Sequence, residues 1–235
     1  MKLSPEQLQS RLKMDYQVVM RMKTPLINVT AYRNADDLEK RQNPIMSEDQ
    51  GHLATHYIAD YRIKTLAGPD DFMEKTSVSF DLLANGNYPF SWPGCFVISS
   101  RLPWTPHFRQ NTPICIDHDM WKDSRGKMLF GELVVHVAKL LNFDEIPRSE
   151  NYGGYTPAAA AYWRTKLKKQ PITPNLPYPP LPPLVDELTL FSASRGPSSD
   201  MFSPKSQSIG GMFQPKQSNT QSDGGGFDQS MFKAK

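Results

Sequence analysis

Thr76-Ser77-Val78-Ser79-Phe80-Asp81-Leu82 is the stretch that decides the fold. Apolar and polar residues alternate along it almost strictly, the pattern of a strand with one face buried and one face wet, which points to an antiparallel sheet. Outward from it, residues 26–33, 55–66 and 95–99 are each rich in Val, Ile, Tyr, Phe or Thr and read as three further strands, with 75–83 as the third of the four. The polar, charged residues 34–51 read as an exposed loop or long hairpin connection.

Helices flank these strands. Ser4-Pro5-Glu6-Gln7 places a capping serine before a proline, with Gln7 able to close a capping box, and predicts a helix over 5–22. Leu8, Leu12, Tyr16 and Val19 give it one core-facing stripe, and Pro25 ends it. Leu133, Val137, Leu140 and Leu141 predict a second helix over 129–141, with His136 near its apolar face as a core histidine. Thr156-Pro157 opens a third, whose basic end, Arg164 to Lys169, suits the helix dipole before Pro171 stops it. The sum is an α+β fold with helices against one antiparallel sheet.

Composition sets the domain plan. From Pro171 onward Pro, Ser, Gly and Gln dominate, so the expectation is one domain over 1–170 and a disordered tail over 171–235. Pro174-Asn175-Leu176-Pro177-Tyr178-Pro179-Pro180-Leu181-Pro182-Pro183 reads as a polyproline II spacer or groove ligand, with spacer favoured. Met201-Phe202-Ser203-Pro204-Lys205 recurs as Met212-Phe213-Gln214-Pro215-Lys216 and, truncated, as Met231-Phe232-Lys233, which suggests a repeated docking motif for a partner. A net charge of +3 with scattered basic residues argues against nucleic acid, and no run of about 20 apolar residues argues for a membrane partner. Two cysteines and no signal-like segment suggest a cytoplasmic protein with reduced thiols.

The cysteines differ in setting. Cys95 lies in the apolar run Gly94-Cys95-Phe96-Val97-Ile98 and reads as a small buried hydrophobe. Cys115 lies in Asn111-Thr112-Pro113-Ile114-Cys115-Ile116-Asp117, a polar, proline-bounded loop of the kind that keeps a nucleophilic thiol accessible. His107, Cys115 and His118 can be read as metal ligands, since a Cys-x-x-His pair has a spacing that zinc tolerates, yet no second Cys or His pair stands at ligand spacing, so no metal and no cofactor is expected. A cysteine hydrolase using His107, His118 or His136 as base is a further alternative without a local signature.

The order of elements, together with particular residues, resembles the ubiquitin-conjugating (E2) enzyme family. Tyr88-Pro89-Phe90-Ser91-Trp92-Pro93 is similar to the family's Tyr-Pro-Phe-x-x-Pro turn between its third and fourth strands. Ile114-Cys115-Ile116-Asp117 resembles its Ile-Cys-Leu-Asp run, Trp121 the tryptophan that follows, and Leu140-Leu141 the end of the next helix. The likeness covers about residues 1–170 and implies the E2 (UBC-like) fold: an N-terminal helix, a four-stranded meander, an active-site loop and further helices. One departure stands out. Where the family has His-Pro-Asn, this chain has Thr105-Pro106-His107, so His107 takes the place of an asparagine thought to order the loop or to help stabilise an oxyanion. A donor role and a loop-pinning role for His107 are both open.

The resemblance implies that Cys115 accepts a ubiquitin-like modifier as a thioester from an E1-type activating enzyme and passes it to an amine of a protein substrate. Cys115, His107 and Asp117 are the candidate catalytic residues, with Asp117 equally readable as a turn residue. Asp144, Glu145 and Glu150 are candidates to orient the incoming amine. The divergence and the tail look more like the E2-like proteins of bacterial conjugation or antiphage operons. A variant that only binds modifiers, as a scaffold, is the non-enzymatic alternative.

Overall fold

The structure, a computed structural model, describes residues 2–116, 124, 126–144 and 154–181, all within the first of the chain's two units, 1–194. Helix α1 (Pro5–Arg21) begins as its sequence predicts: the Ser4 hydroxyl accepts the Gln7 N–H at 3.3 Å and Gln7 Oε1 accepts the Ser4 N–H at 2.9 Å. β1 (Ile27–Tyr32), β2 (His56–Tyr61), β5 (Thr76–Asp81) and β6 (Gly94–Val97) form one antiparallel sheet in that order. Between β2 and β5 a separate hairpin pairs β3 (Thr65–Gly68) with β4 (Asp71–Met73). The described residues are thus an α+β body around a four-stranded antiparallel sheet.

Register explains the alternation. Tyr57, Phe80 and Cys95 lie opposite one another across β2, β5 and β6 and all are buried, as are Ala59 and Val78 one step along. Ser79 and Phe96, between them, turn to the more open face. The buried face is covered by α3 (Phe130–Asn142), which is apolar almost all round because it is packed on more than one side. The Phe130 ring sits 4.6 Å from that of Tyr57 and 5.2 Å, edge-on, from that of Phe80. The Tyr61 hydroxyl donates to the Val134 carbonyl at 3.0 Å.

α1 crosses α3 at Gly131, where a Cβ would lie 2.4 Å from Met22 Sδ and 2.7 Å from Val18 Cγ1. Beside that crossing runs a buried polar network. Asp15 of α1 accepts Arg11 Nε at 2.7 Å, the Tyr88 hydroxyl at 2.6 Å and, on its other oxygen, the Phe130 N–H at 2.9 Å. No side chain of its own caps α3, so Asp15 supplies the acceptor at that helix N-terminus from a different helix. Arg11 completes the network by donating to the carbonyls of Gly126, at 2.5 Å, and Met128.

Three expectations need correction. Residues 55–66 are not one strand: β2 ends at Tyr61, level with the ends of its partners at Ile27 and Thr76, and Thr65 and Leu66 turn away to pair with Met73 and Phe72. Residues 34–51 hold a short helix α2 (Ala35–Lys40), capped by Asn34, and a 3₁₀ turn (Glu48–Leu53), capped by Ser47. α2 buries no residue, so it leaves no apolar period to read.

The packed body also does not end at residue 170. Asn142, fully buried at the end of α3, donates to Thr173 O at 2.9 Å and accepts the Thr173 N–H at 2.8 Å, while its carbonyl accepts the Ile172 N–H at 2.9 Å. Leu176 and Tyr178 pack against the core. Residues 171–181 are therefore a strap bound to the body rather than a free spacer, because a buried asparagine needs their backbone as its partner. The remaining proline-rich residues and the Met-Phe repeats lie outside the described residues.

Candidate functional site

The loop after β6 returns to the sheet and fixes Cys115 by its neighbours. Ile114 and Ile116 are each 1% exposed, and the half-buried Cys115 stands between them. In an extended segment, side chains alternate in direction, so anchoring both isoleucines in the core turns the thiol away from it. The Ile114 N–H donates to the Cys95 carbonyl at 2.8 Å, which ties the loop to β6.

The Thr105-Pro106-His107 turn holds the same loop from its other edge. The Cys115 N–H donates to the His107 carbonyl at 2.9 Å, and His107 Nδ1 lies 2.9 Å from the Cys115 carbonyl oxygen. A carbonyl oxygen only accepts, so the Nδ1 position carries the proton, and in the neutral ring Nε2 is left with a lone pair. His107 is neutral at physiological pH. Burial pushes its pKa down to about 4, against the opposing pull of the hydrogen bond to Cys115, with the charge of His136 adding to the fall. The one N–H of the neutral imidazole is thus engaged by the loop backbone. Of the two roles open to His107, pinning the loop is the one this geometry favours over donating to an oxyanion.

Thr105 sets up the turn. Its hydroxyl accepts the His107 N–H at 3.2 Å, and it is fully buried. The segment ahead of α4 (Pro157–Thr165) lies directly against this turn: the Tyr155 N–H donates to Pro106 O at 2.8 Å. The Thr156 hydroxyl, expected to cap α4, makes no cap bond and reaches Phe108 O at 3.4 Å.

Cys95 is the contrast that its apolar run predicts. It is 1% exposed, and burial pushes its thiol far up, out of reach of ionisation at neutral pH. His136 is buried on α3, a core histidine. Of the acidic candidates, Asp144 accepts the Asn142 amide at 2.9 Å and the Tyr178 hydroxyl, so it serves the strap at the end of α3. Asp117, His118, Trp121, Glu145 and Glu150 lie outside the described residues. Among the described residues no group of three or more His, Cys, Asp or Glu could hold a metal ion, and no helix is long and apolar enough to cross a membrane.

Sequence reasoning did not identify the Arg11, Asp15 and Tyr88 network, which holds Gly126, Met128 and Phe130 at the start of α3, or the contact of Gly154 and Tyr155 with Pro106. Compared with known proteins, the chain matches no protein-family model and no curated protein.

Proposed function

We propose that this protein is an E2-like conjugating enzyme that carries a ubiquitin-like modifier as a thioester on Cys115 and transfers it to an amine, such as that of a lysine, of a protein substrate. The observation that carries this reading is the mounting of Cys115: a half-buried cysteine between two core-anchored isoleucines, tied by two hydrogen bonds to a Thr-Pro-His turn eight residues earlier. The sheet order and the placement of Tyr88-Pro89-Phe90 between the third and fourth strands of the sheet support the E2 (UBC-like) fold.

In the first step the Cys115 thiolate attacks the thioester carbonyl that joins the modifier's C-terminus to the activating enzyme's cysteine. A new S–C bond forms, the old one breaks, and the activating enzyme's thiolate leaves. Exchange between thioesters is nearly balanced in energy, so the chain must supply position and a deprotonated sulfur rather than a cofactor. In the second step an amine attacks the Cys115 thioester, an N–C bond forms, the Cys115 thiolate leaves, and the amine's extra proton passes to solvent or an acidic side chain.

The two isoleucine anchors and the His107 pin keep the loop backbone fixed while the acyl group changes hands, which is the positioning this chemistry needs. A hydrolase reading would use the Nε2 lone pair of the neutral His107 ring as base, and turnover of a modifier precursor without any activating enzyme would mark it. A cytoplasmic role in bacterial conjugation or antiphage defence, with an E1-type enzyme and a modifier as partners, follows from the same resemblance.

The experiment is charging of Cys115→Ser in the presence of an activating enzyme, its modifier and ATP. The proposal expects the thiol-labile adduct of the wild type to become a thiol-resistant, alkali-labile ester in the variant. An adduct of unchanged lability would place the acyl group elsewhere and remove the proposal.

A further inference from the structure

We propose that Gly154 and Tyr155 form a clasp that positions Cys115 through the Thr105-Pro106-His107 turn, making the segment ahead of α4 part of the thiol's mounting. Gly154 has φ +58, and a Cβ there would lie 2.2 Å from the Pro106 carbonyl oxygen and 2.9 Å from its carbonyl carbon. Two independent demands for glycine coincide at this residue: a left-handed backbone, and an approach to another backbone closer than any side chain permits. The atom approached belongs to the turn itself and is not the movable end of a side chain.

The next amide completes the contact, since the Tyr155 N–H donates to the same Pro106 oxygen at 2.8 Å. Pro106 is one peptide unit from His107, whose carbonyl accepts the Cys115 N–H and whose ring holds the Cys115 carbonyl. The route from Gly154 to the thiol residue is therefore short and made of backbone throughout. α4 is held further along as well: the Tyr162 hydroxyl donates to Asp70 at 2.5 Å, and its ring meets Trp104 edge-on at 5.5 Å. Trp104 precedes Thr105 and donates its N–H to Leu66 O at 2.7 Å. The turn thus sits between a strand-anchored tryptophan and the glycine clasp, with α4 touching both.

Gly154 and Tyr155 are positioning residues that act through Pro106 and His107. That this positioning serves transfer of a modifier rests on the thioester reading. That it places the thiol does not, and the test is chosen to read the thiol alone.

The test compares Gly154→Ala with Gly86→Ala in the full-length protein. Gly86 also has a left-handed φ, +66, but nothing lies within 4 Å of where its Cβ would stand, so it isolates the conformational cost from the collision. The readout is the rate of Cys115 alkylation by iodoacetamide against pH, followed by peptide mass spectrometry. Gly154→Ala is expected to change the Cys115 rate by about tenfold or displace its pH profile, as a shifted backbone alters the thiol's setting. Gly86→Ala is expected to leave that profile on the wild-type curve. A Gly154→Ala profile superimposed on the wild type, or one moved no more than that of Gly86→Ala, overturns the proposal.

If Gly154→Ala does not fold, hydrogen exchange in the wild type decides. Coupling between two sites is reciprocal, so capping Cys115 with N-ethylmaleimide should change the exchange rate of the Tyr155 amide and leave that of Val137, in α3, unaltered. An unmoved Tyr155 amide overturns the proposal equally.

Discussion

His107 and Cys115 are joined twice: the Cys115 N–H donates to the His107 carbonyl at 2.9 Å, and the His107 ring, through Nδ1, holds the Cys115 carbonyl at 2.9 Å. Both polar groups of the Cys115 backbone are therefore engaged by one residue, in a site where that residue is 2% exposed. The Cys115 backbone is set by a neutral imidazole used as a bracket.

Removing the bracket separates its roles. His107→Ala leaves the Cys115 carbonyl without its ring donor and is expected to cost about 1–3 kcal/mol of stability, the penalty for an unsatisfied partly buried group. His107→Asn keeps an N–H in reach and is expected to recover most of that loss. Urea denaturation of the two variants checks the order; equal losses would mean the ring acts by volume alone.

The same residue predicts an acid dependence. The His107 pKa is about 4 in the fold and 6.5 in the unfolded chain, so between these values the unfolded state binds a proton that the native state refuses. The contribution is fully present above pH 6.5 and is lost as pH falls toward 4, by at most about 3 kcal/mol. The wild-type midpoint in urea should fall more steeply than that of His107→Asn over this window. Parallel curves would count against a buried neutral imidazole.

The thiols should differ in reactivity as they do in setting. At mildly alkaline pH iodoacetamide is expected to label Cys115 in the native protein and Cys95 only after unfolding, since burial holds Cys95 protonated and covered. Peptide mass spectrometry of a time course reads this directly, and equal rates would show that the Cys115 loop is not open.

Asp15 organises the start of α3. Asp15→Ala strands the buried Arg11 and removes the acceptor at the N-terminus of α3, with an expected loss of about 3–5 kcal/mol. The paired change Arg11→Leu with Asp15→Leu should cost less than the sum of the two single substitutions, because no unpartnered charge remains. Additive losses in a denaturation cycle would show that the two residues act separately.

Much of this was legible in the sequence where a physical pattern was local. The alternation of residues 76–82 shows the sheet, Ser4 and Gln7 show the start of α1, and the polar, proline-bounded loop separates Cys115 from Cys95. What stayed hidden depends on distant partners. Arg11 and Asp15 stand four residues apart on α1, a spacing that usually marks a solvated pair, and only the approach of Tyr88 and α3 buries them. Gly154 lies in a Gly-Gly pair that reads as a plain loop, since the atom it must admit is 48 residues earlier in the chain, at Pro106. The strap over 171–181 reads as a linker by composition, and its attachment is visible only once Asn142 is seen to be buried.

The strap gives a truncation test. A chain ending at Leu181 keeps the partners of Asn142, whereas one ending at Gln170 leaves that buried amide without Thr173 and Tyr178. The shorter chain is expected to be less stable than the longer by about 2 kcal/mol or more, from lost hydrogen bonds and the exposure of apolar surface under Leu176 and Tyr178. Indistinguishable melting temperatures would contradict the role assigned to the strap.

Whether Cys115 carries an acyl group is read by a charging reaction with an activating enzyme, its ubiquitin-like modifier and ATP, resolved on a non-reducing gel. The expected result is a modifier-sized adduct that disappears with dithiothreitol, is absent from Cys115→Ala and persists in Cys95→Ala. An adduct retained by Cys115→Ala, or no adduct on the wild type with any activating enzyme and modifier pair of its source, would show that Cys115 does not carry the modifier.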